Sequence, residues 1–179
     1  PVGWVEILPG AALTARYLRK ALAVGDPFHV CRALCHEGST RAMQRPERPE
    51  AYLPLVNRAR AMAQSSGDAS LKAHQMFMEA TASIFAGEPR AACTLLERVH
   101  ETVQAECPGE PWFLTNIRMN LGTVWAQVGE HRLLHAGMSA WIAAARESSD
   151  RFAWAALSGL GQGAFRHLMD DDCDAARQE

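Results

Sequence analysis

The chain has 179 residues, 48% hydrophobic and 21% charged, with a formal net charge of −2 at pH 7. That is enough length for one domain with a sizeable core, and the charge balance makes nucleic acid a poor default partner. No apolar run approaches the roughly 18 residues of a membrane span, and no basic-then-apolar leader opens the chain.

Alanine is abundant and β-branched residues are few, which biases the chain towards helix. Apolar periodicity then predicts amphipathic helices in succession. They run from about Ala11 to Val24, Pro27 to Gln44, Glu50 to Ser65, Asp68 to Ala86, Pro89 to Glu106, Pro111 to Val128, Glu130 to Glu147 and Asp150 to Met169, with a ninth beginning near Cys173. Gly25-Asp26-Pro27 is a stop and a start in three residues. Glycine ends one helix, aspartate caps the next, and proline occupies its first position. Gly67-Asp68, Pro108-Gly109 and Ser149-Asp150 mark the later boundaries. The chain begins at Pro1 without a methionine and stops at Glu179 inside a helical stretch, so a piece excised from a longer protein is expected.

The boundaries recur. Gly25, Gly67 and Gly109 lie 42 residues apart, and the turns within hairpins, Arg45, Gly87, Gly129 and Asp171, keep the same step. Two helices per period mark an α-solenoid of antiparallel hairpins. One hairpin cannot bury its own apolar face, whereas stacked neighbours share a core. The hairpin units are about 26–66, 68–107, 110–148 and 150–179, within a single domain covering 1–179. Stepping by the same period gives Gly38, Ala80, Gly122 and Ala164, a column of small residues that would let helices approach closely.

Leu121-Gly122, Trp125 and then Gly129 before the second helix resemble the opening half of a tetratricopeptide unit, with a weaker echo at Ala80, Gly87 and Ala92. The period is longer than that family's usual length of about 34 residues. Arg19-Lys20-Ala21-Leu22-Ala23-Val24-Gly25-Asp26-Pro27 and Glu106-Cys107-Pro108-Gly109-Glu110-Pro111-Trp112 are similar to the helical repeat regions of large bacterial multidomain regulators. Those include serine/threonine kinases with an ATPase module and LuxR- or MalT-type activators. The resemblance implies a protein-interaction or sensory scaffold that binds a peptide or protein partner, or other domains of the same chain, in the cytoplasm. Alternatives are a domain sensing a small effector, as in MalT-like activators, or a structural spacer that self-associates. Any kinase or ATPase activity would belong to other domains of such a parent.

The segment itself carries no catalytic signature, so it is read as a non-enzyme with no cofactor and no metal. Gly159-Leu160-Gly161-Gln162-Gly163 interrupts a helical pattern and lacks the strand a phosphate loop requires. Cys31, Cys35 and His36 lack further zinc ligands and read as buried small side chains. His131 and His135 share a helix face but lack the glutamate of a zinc protease. Asp170, Asp171, Asp172 and Asp174 lack EF-hand order and suit a turn and helix cap. The five cysteines are odd in number and scattered, as in a reduced protein. The tryptophans read as core or packing residues between repeats.

In tetratricopeptide-like arrays the first helix of each unit lines the concave face. Carried through the Gly122 register, this places Arg32, His74, Asn116 and Ser158 in one row of a partner groove. His36, Asn120 and Gln162 fall in the next row, and Thr123 follows. Asn116, Asn120, Thr123 and Gln127 form a polar stripe at helical spacing. Their amides and hydroxyl suit an extended peptide or a small polar ligand.

Overall fold

The computed structural model describes residues 7–160, 167–168 and 171–178. Among these the regular structure is entirely helical. The helices are α1 (Ile7–Val24), α2 (Pro27–Gln44), α3 (Pro49–Ser66), α4 (Ala69–Phe85), α5 (Pro89–Glu106), α6 (Pro111–Val128), α7 (His131–Glu147), α8 (Arg151–Ala155) and α9 (Cys173–Gln178). A π turn follows α8 at Ala156–Leu160.

The punctuation residues act as their chemistry dictates. The Asp26 carboxylate accepts the His29 amide at 3.0 Å, with Pro27 at the first helical position. Asp68 accepts the Leu71 amide at 3.0 Å, and Asp150 accepts the Ala153 amide at 2.9 Å. Each such cap satisfies an otherwise orphaned donor and contributes about 0.5–2 kcal/mol. The opening of α6 relies on Pro111 alone, since Glu110 makes no side-chain cap bond there. Gly67 and Gly129 turn the chain out of α3 and α6 with φ of 73° and 83°, a region that favours glycine. Ser149 and Asp171 hold the same sign of φ, both at 57°.

The expected helix from Asp150 to Met169 departs from its pattern early. It is α-helical from Arg151 through Ala155 and then widens into the π turn, and His167 and Leu168 are α-helical. The π turn includes Gly159, the first residue of the glycine run, where the chain has the weakest helix propensity. Gly161, Gln162 and Gly163 lie outside the described residues, as does Ala164 of the small-residue column.

The chain divides into two compact units, residues 1–95 and 96–179. In the first, α2 packs against α1, α3 and α4, and α3 also packs against α4. Val30, Cys31, Leu34 and Cys35 of α2 meet Ala21 of α1, Ala59 and Ala63 of α3, and Leu71 of α4 in one cluster. Ala42, Tyr52, Val56 and Ala82 form a second cluster. Gly38 sits where α2 approaches α3: a Cβ there would stand 3.1 Å from Val56 Cγ2. The lack of a side chain at Gly38 thus permits this approach, and Ala80 and Gly122 of the same expected column are buried.

In the second unit α6 packs against α7, and the π turn contacts both. Leu96, Val99, Ile117, Leu121, Val124, Leu134, Met138, Ile142 and Leu157 are each at most 1% exposed and supply its core.

Candidate partner-binding faces

In the first unit, α2 and α4 bring three of the expected groove residues together. The His36 and His74 rings lie 4.9 Å apart at 59°, and the Tyr17 ring meets His36 edge-on at 6.4 Å. Arg32 lies over the Phe28 ring at 5.6 Å. Burial, and secondarily Arg32, holds His36 below its ordinary pKa. Burial first, then His36 and Arg32, pulls His74 down to about 3. His74 keeps some surface, but its Nε2 is enclosed. Near pH 7 this face thus carries one fixed cation, Arg32, beside two neutral imidazoles.

In the second unit, the polar stripe follows α6 but turns inward. Asn116 is buried and its Nδ2 donates to the Trp112 carbonyl at 2.7 Å. Asn120 Nδ2 donates to the Asn116 carbonyl at 2.9 Å, and Thr123 Oγ1 to the Met119 carbonyl at 3.1 Å. These are bonds back to the preceding turn of the same helix. Both carboxamides therefore direct a donor to their own backbone, and the side-chain group most open to solvent is Gln127, which is exposed. Ser158 is buried in the π turn. Gln162 lies outside the described residues.

The other sequence features also have places. Cys31 and Cys35 are both buried, and Cys31 Sγ donates to the Ala59 carbonyl at 3.4 Å. The neighbouring Cys31, reinforced by burial, raises the Cys35 thiol far above its ordinary range, so it stays protonated. His131 is exposed and His135 half-buried. Among the described residues, no group of three or more His, Cys, Asp or Glu is arranged to hold a metal ion.

Two polar constellations went unforeseen in the sequence. In the first unit, Glu79 on α4 receives Arg60 of α3 through both carboxylate oxygens, at 2.5 and 3.1 Å, and Gln75 at 2.6 Å. In the second unit, Arg118 Nε donates to His100 Nε2 at 3.3 Å, and its guanidinium lies 5.1 Å from the Trp141 ring centre. Trp141 stacks on Trp125 at 5.5 Å and 18°, and Trp125 Nε1 donates to Glu97 Oε1 at 3.2 Å. Gly137 makes room for this stack, because a Cβ there would stand 2.8 Å from Trp125 Cζ3. A signal existed for the second. In an antiparallel hairpin, residues equidistant from the turn face each other. Reflecting Arg118 about Gly109 lands on His100, and reflecting it about Gly129-Glu130 lands on Trp141.

No model of a known protein family matches the chain, and no curated protein matches it in sequence.

Proposed function

We propose that the chain is part of an α-solenoid of helical hairpins that serves as a protein-interaction or sensory scaffold, the module of a bacterial signalling protein that its motifs resemble. The observation that carries this reading is the recurrence of one construction. Alternate helices open at Pro27, Ala69, Pro111 and Arg151, and three of the four are capped by an aspartate accepting the amide three residues on. Repeated hairpins of this kind build extended surfaces suited to partners. Arg32, His36 and His74 on the first unit and Asn120, Thr123 and Gln127 on the second supply polar side chains on the first helices of successive hairpins. The partner is an extended peptide or a protein segment held through its backbone and polar side chains.

The test is selection of binders from a random peptide library on the immobilised 179-residue chain. Enriched peptides are then measured against Asn120→Ala/Gln127→Ala and Arg32→Ala/His36→Ala. Asn116 is left intact because it is buried and bonded to its own helix. At least one pair is expected to weaken binding about tenfold, equivalent to about 1.4 kcal/mol, with unchanged circular dichroism. Undiminished binding by both folded variants rejects these faces.

A further inference from the structure

Among the described arginines that are partly buried, Arg60 has Glu79 at 2.5 Å, whereas Arg32 rests on the Phe28 ring and Arg118 on the Trp141 ring. Arg118 is half-buried, yet among the described residues no carboxylate pairs with it, and its Nη1 and Nη2 make no hydrogen bond there. Its Nε is held by His100 and its flat face by Trp141. The acid of this cluster, Glu97, accepts from Trp125 Nε1. At about 100° per residue, Arg118 lies about 200° round α6 from Asn116 and about 160° from Asn120. It therefore occupies the opposite side of the helix from the polar stripe.

From this geometry we infer that Arg118 anchors a carboxylate-binding site of the second unit, with its Nη pair as the fork and Trp141 as the apolar wall. The side chain is already oriented: one bond to His100 and one aromatic face fix its plane, so little rotamer freedom remains to be lost on binding. Burial pulls Arg118 below the usual guanidinium range, a penalty on its charge that an anion relieves.

The charge count selects the class of anion. His100 is pulled down to about 4, by burial first and then by Arg118, so it is neutral near pH 7. A single positive charge suits a planar monoanion, which a guanidinium receives through two parallel bonds. A phosphate dianion would keep one charge uncompensated. The tryptophan wall suits a carboxylate borne on an aliphatic stem, whether a free small acid or a glutamate side chain. This site stands independently of the proposed partner face.

The test uses the intact 179-residue chain and the arginine Nε–H and tryptophan indole signals in nitrogen–proton NMR spectra. Butyrate, the blocked peptide acetyl-Ala-Glu-Ala-amide and inorganic phosphate are each titrated at constant ionic strength, with chloride as the reference salt. The Arg118 and Trp141 signals are expected to move together and saturate, with a Kd on the order of millimolar for a few charge-assisted bonds. Saturation by butyrate alone identifies a free acid as the source. Tighter saturation by the peptide identifies a protein-borne carboxylate. Arg118→Lys keeps the charge but lacks the fork, and is expected to weaken binding by about tenfold or more. A linear response equal to that of chloride, tighter binding of phosphate, or an unchanged Kd in folded Arg118→Lys would each overturn the site. Should that variant unfold, the wild-type titrations still decide.

Discussion

Arg60 of the first unit and Arg118 of the second are partly buried guanidiniums held in opposite ways. In the first, Arg60 meets Glu79 through both carboxylate oxygens, and Gln75 adds a third bond to the same acid. In the second, Arg118 leans on an indole and a neutral imidazole, with no carboxylate partner among the described residues. The helices that carry these side chains, α3 to α7, have 17 or 18 residues each. The difference therefore lies in which side chains the hairpin brings face to face. A closed ion pair joins α3 to α4, whereas a cation resting on an aromatic ring keeps hydrogen-bonding capacity for something else. The same scaffold thus uses Arg60 for cohesion and presents a charge at Arg118, as it does at Arg32 over Phe28 in the first unit.

The comparison can be broken or sharpened by graded measurements. The largest effects belong to the cores. Leu34→Ala in the first unit and Ile117→Ala in the second remove fully buried side chains. Each should lower unfolding free energy by about 2–5 kcal/mol in denaturant titrations. Hydrogen exchange should place the greater loss of protection in the mutated unit. Equal losses in both units would show one cooperative core instead.

Next in size is the response to acid. His74 and His100 are held at about 3 and about 4 in the folded chain, against about 6.5 when unfolded. Their folded pKa values are depressed, so below about pH 6.5 the unfolded chain takes up protons that the folded chain refuses. The stability they support is complete above that pH and falls as pH drops towards 4. Allowing for solvent screening of these partly exposed rings, the summed loss at pH 4 is on the order of 1–3 kcal/mol. His74→Gln and His100→Gln should each flatten part of that acid limb, and unchanged curves for both would contradict the depressed values.

The charge contrast itself predicts smaller and unequal effects. Glu79→Ala strands Arg60 and Gln75, and should destabilise by about 1–3 kcal/mol, discounted from the fully buried case because Arg60 is 42% exposed. Arg118→Met removes a cation that has no carboxylate to strand. It should change stability by about 1 kcal/mol or less, the scale of one cation–π contact. Equal costs for the two substitutions would erase the distinction between the two arginine sites. Smallest of all, Gln127→Ala removes an exposed amide and should stay within about 0.5 kcal/mol.

Most of the helical framework was legible because its boundaries are chemical. Asp26, Asp68 and Asp150 offer a carboxylate to the amide three residues on, and Gly67 and Gly129 accept a backbone conformation other residues resist. Those signals are local, and local signals survive in a sequence. The π turn at Ala156–Leu160 was less legible, since alanine and leucine still read as helix until the glycines arrive. The polar stripe was legible as a spacing but not as an orientation. Whether Asn116 points outwards or bonds its own carbonyl depends on packing around α6. The Arg60–Glu79 and Arg118–Trp141 contacts cross between helices, so they emerge only once the hairpin pairing fixes which positions meet.

The proposed partner face is tested most directly by hydrogen–deuterium exchange on the 179-residue chain, with and without a saturating peptide from the library selection. The expected result is added protection at the side of α2 and α4 bearing Arg32, His36 and His74, or along α6 around Asn120 to Gln127, with α3 and α7 unchanged. Protection confined to α3, α5 or α7 would contradict it.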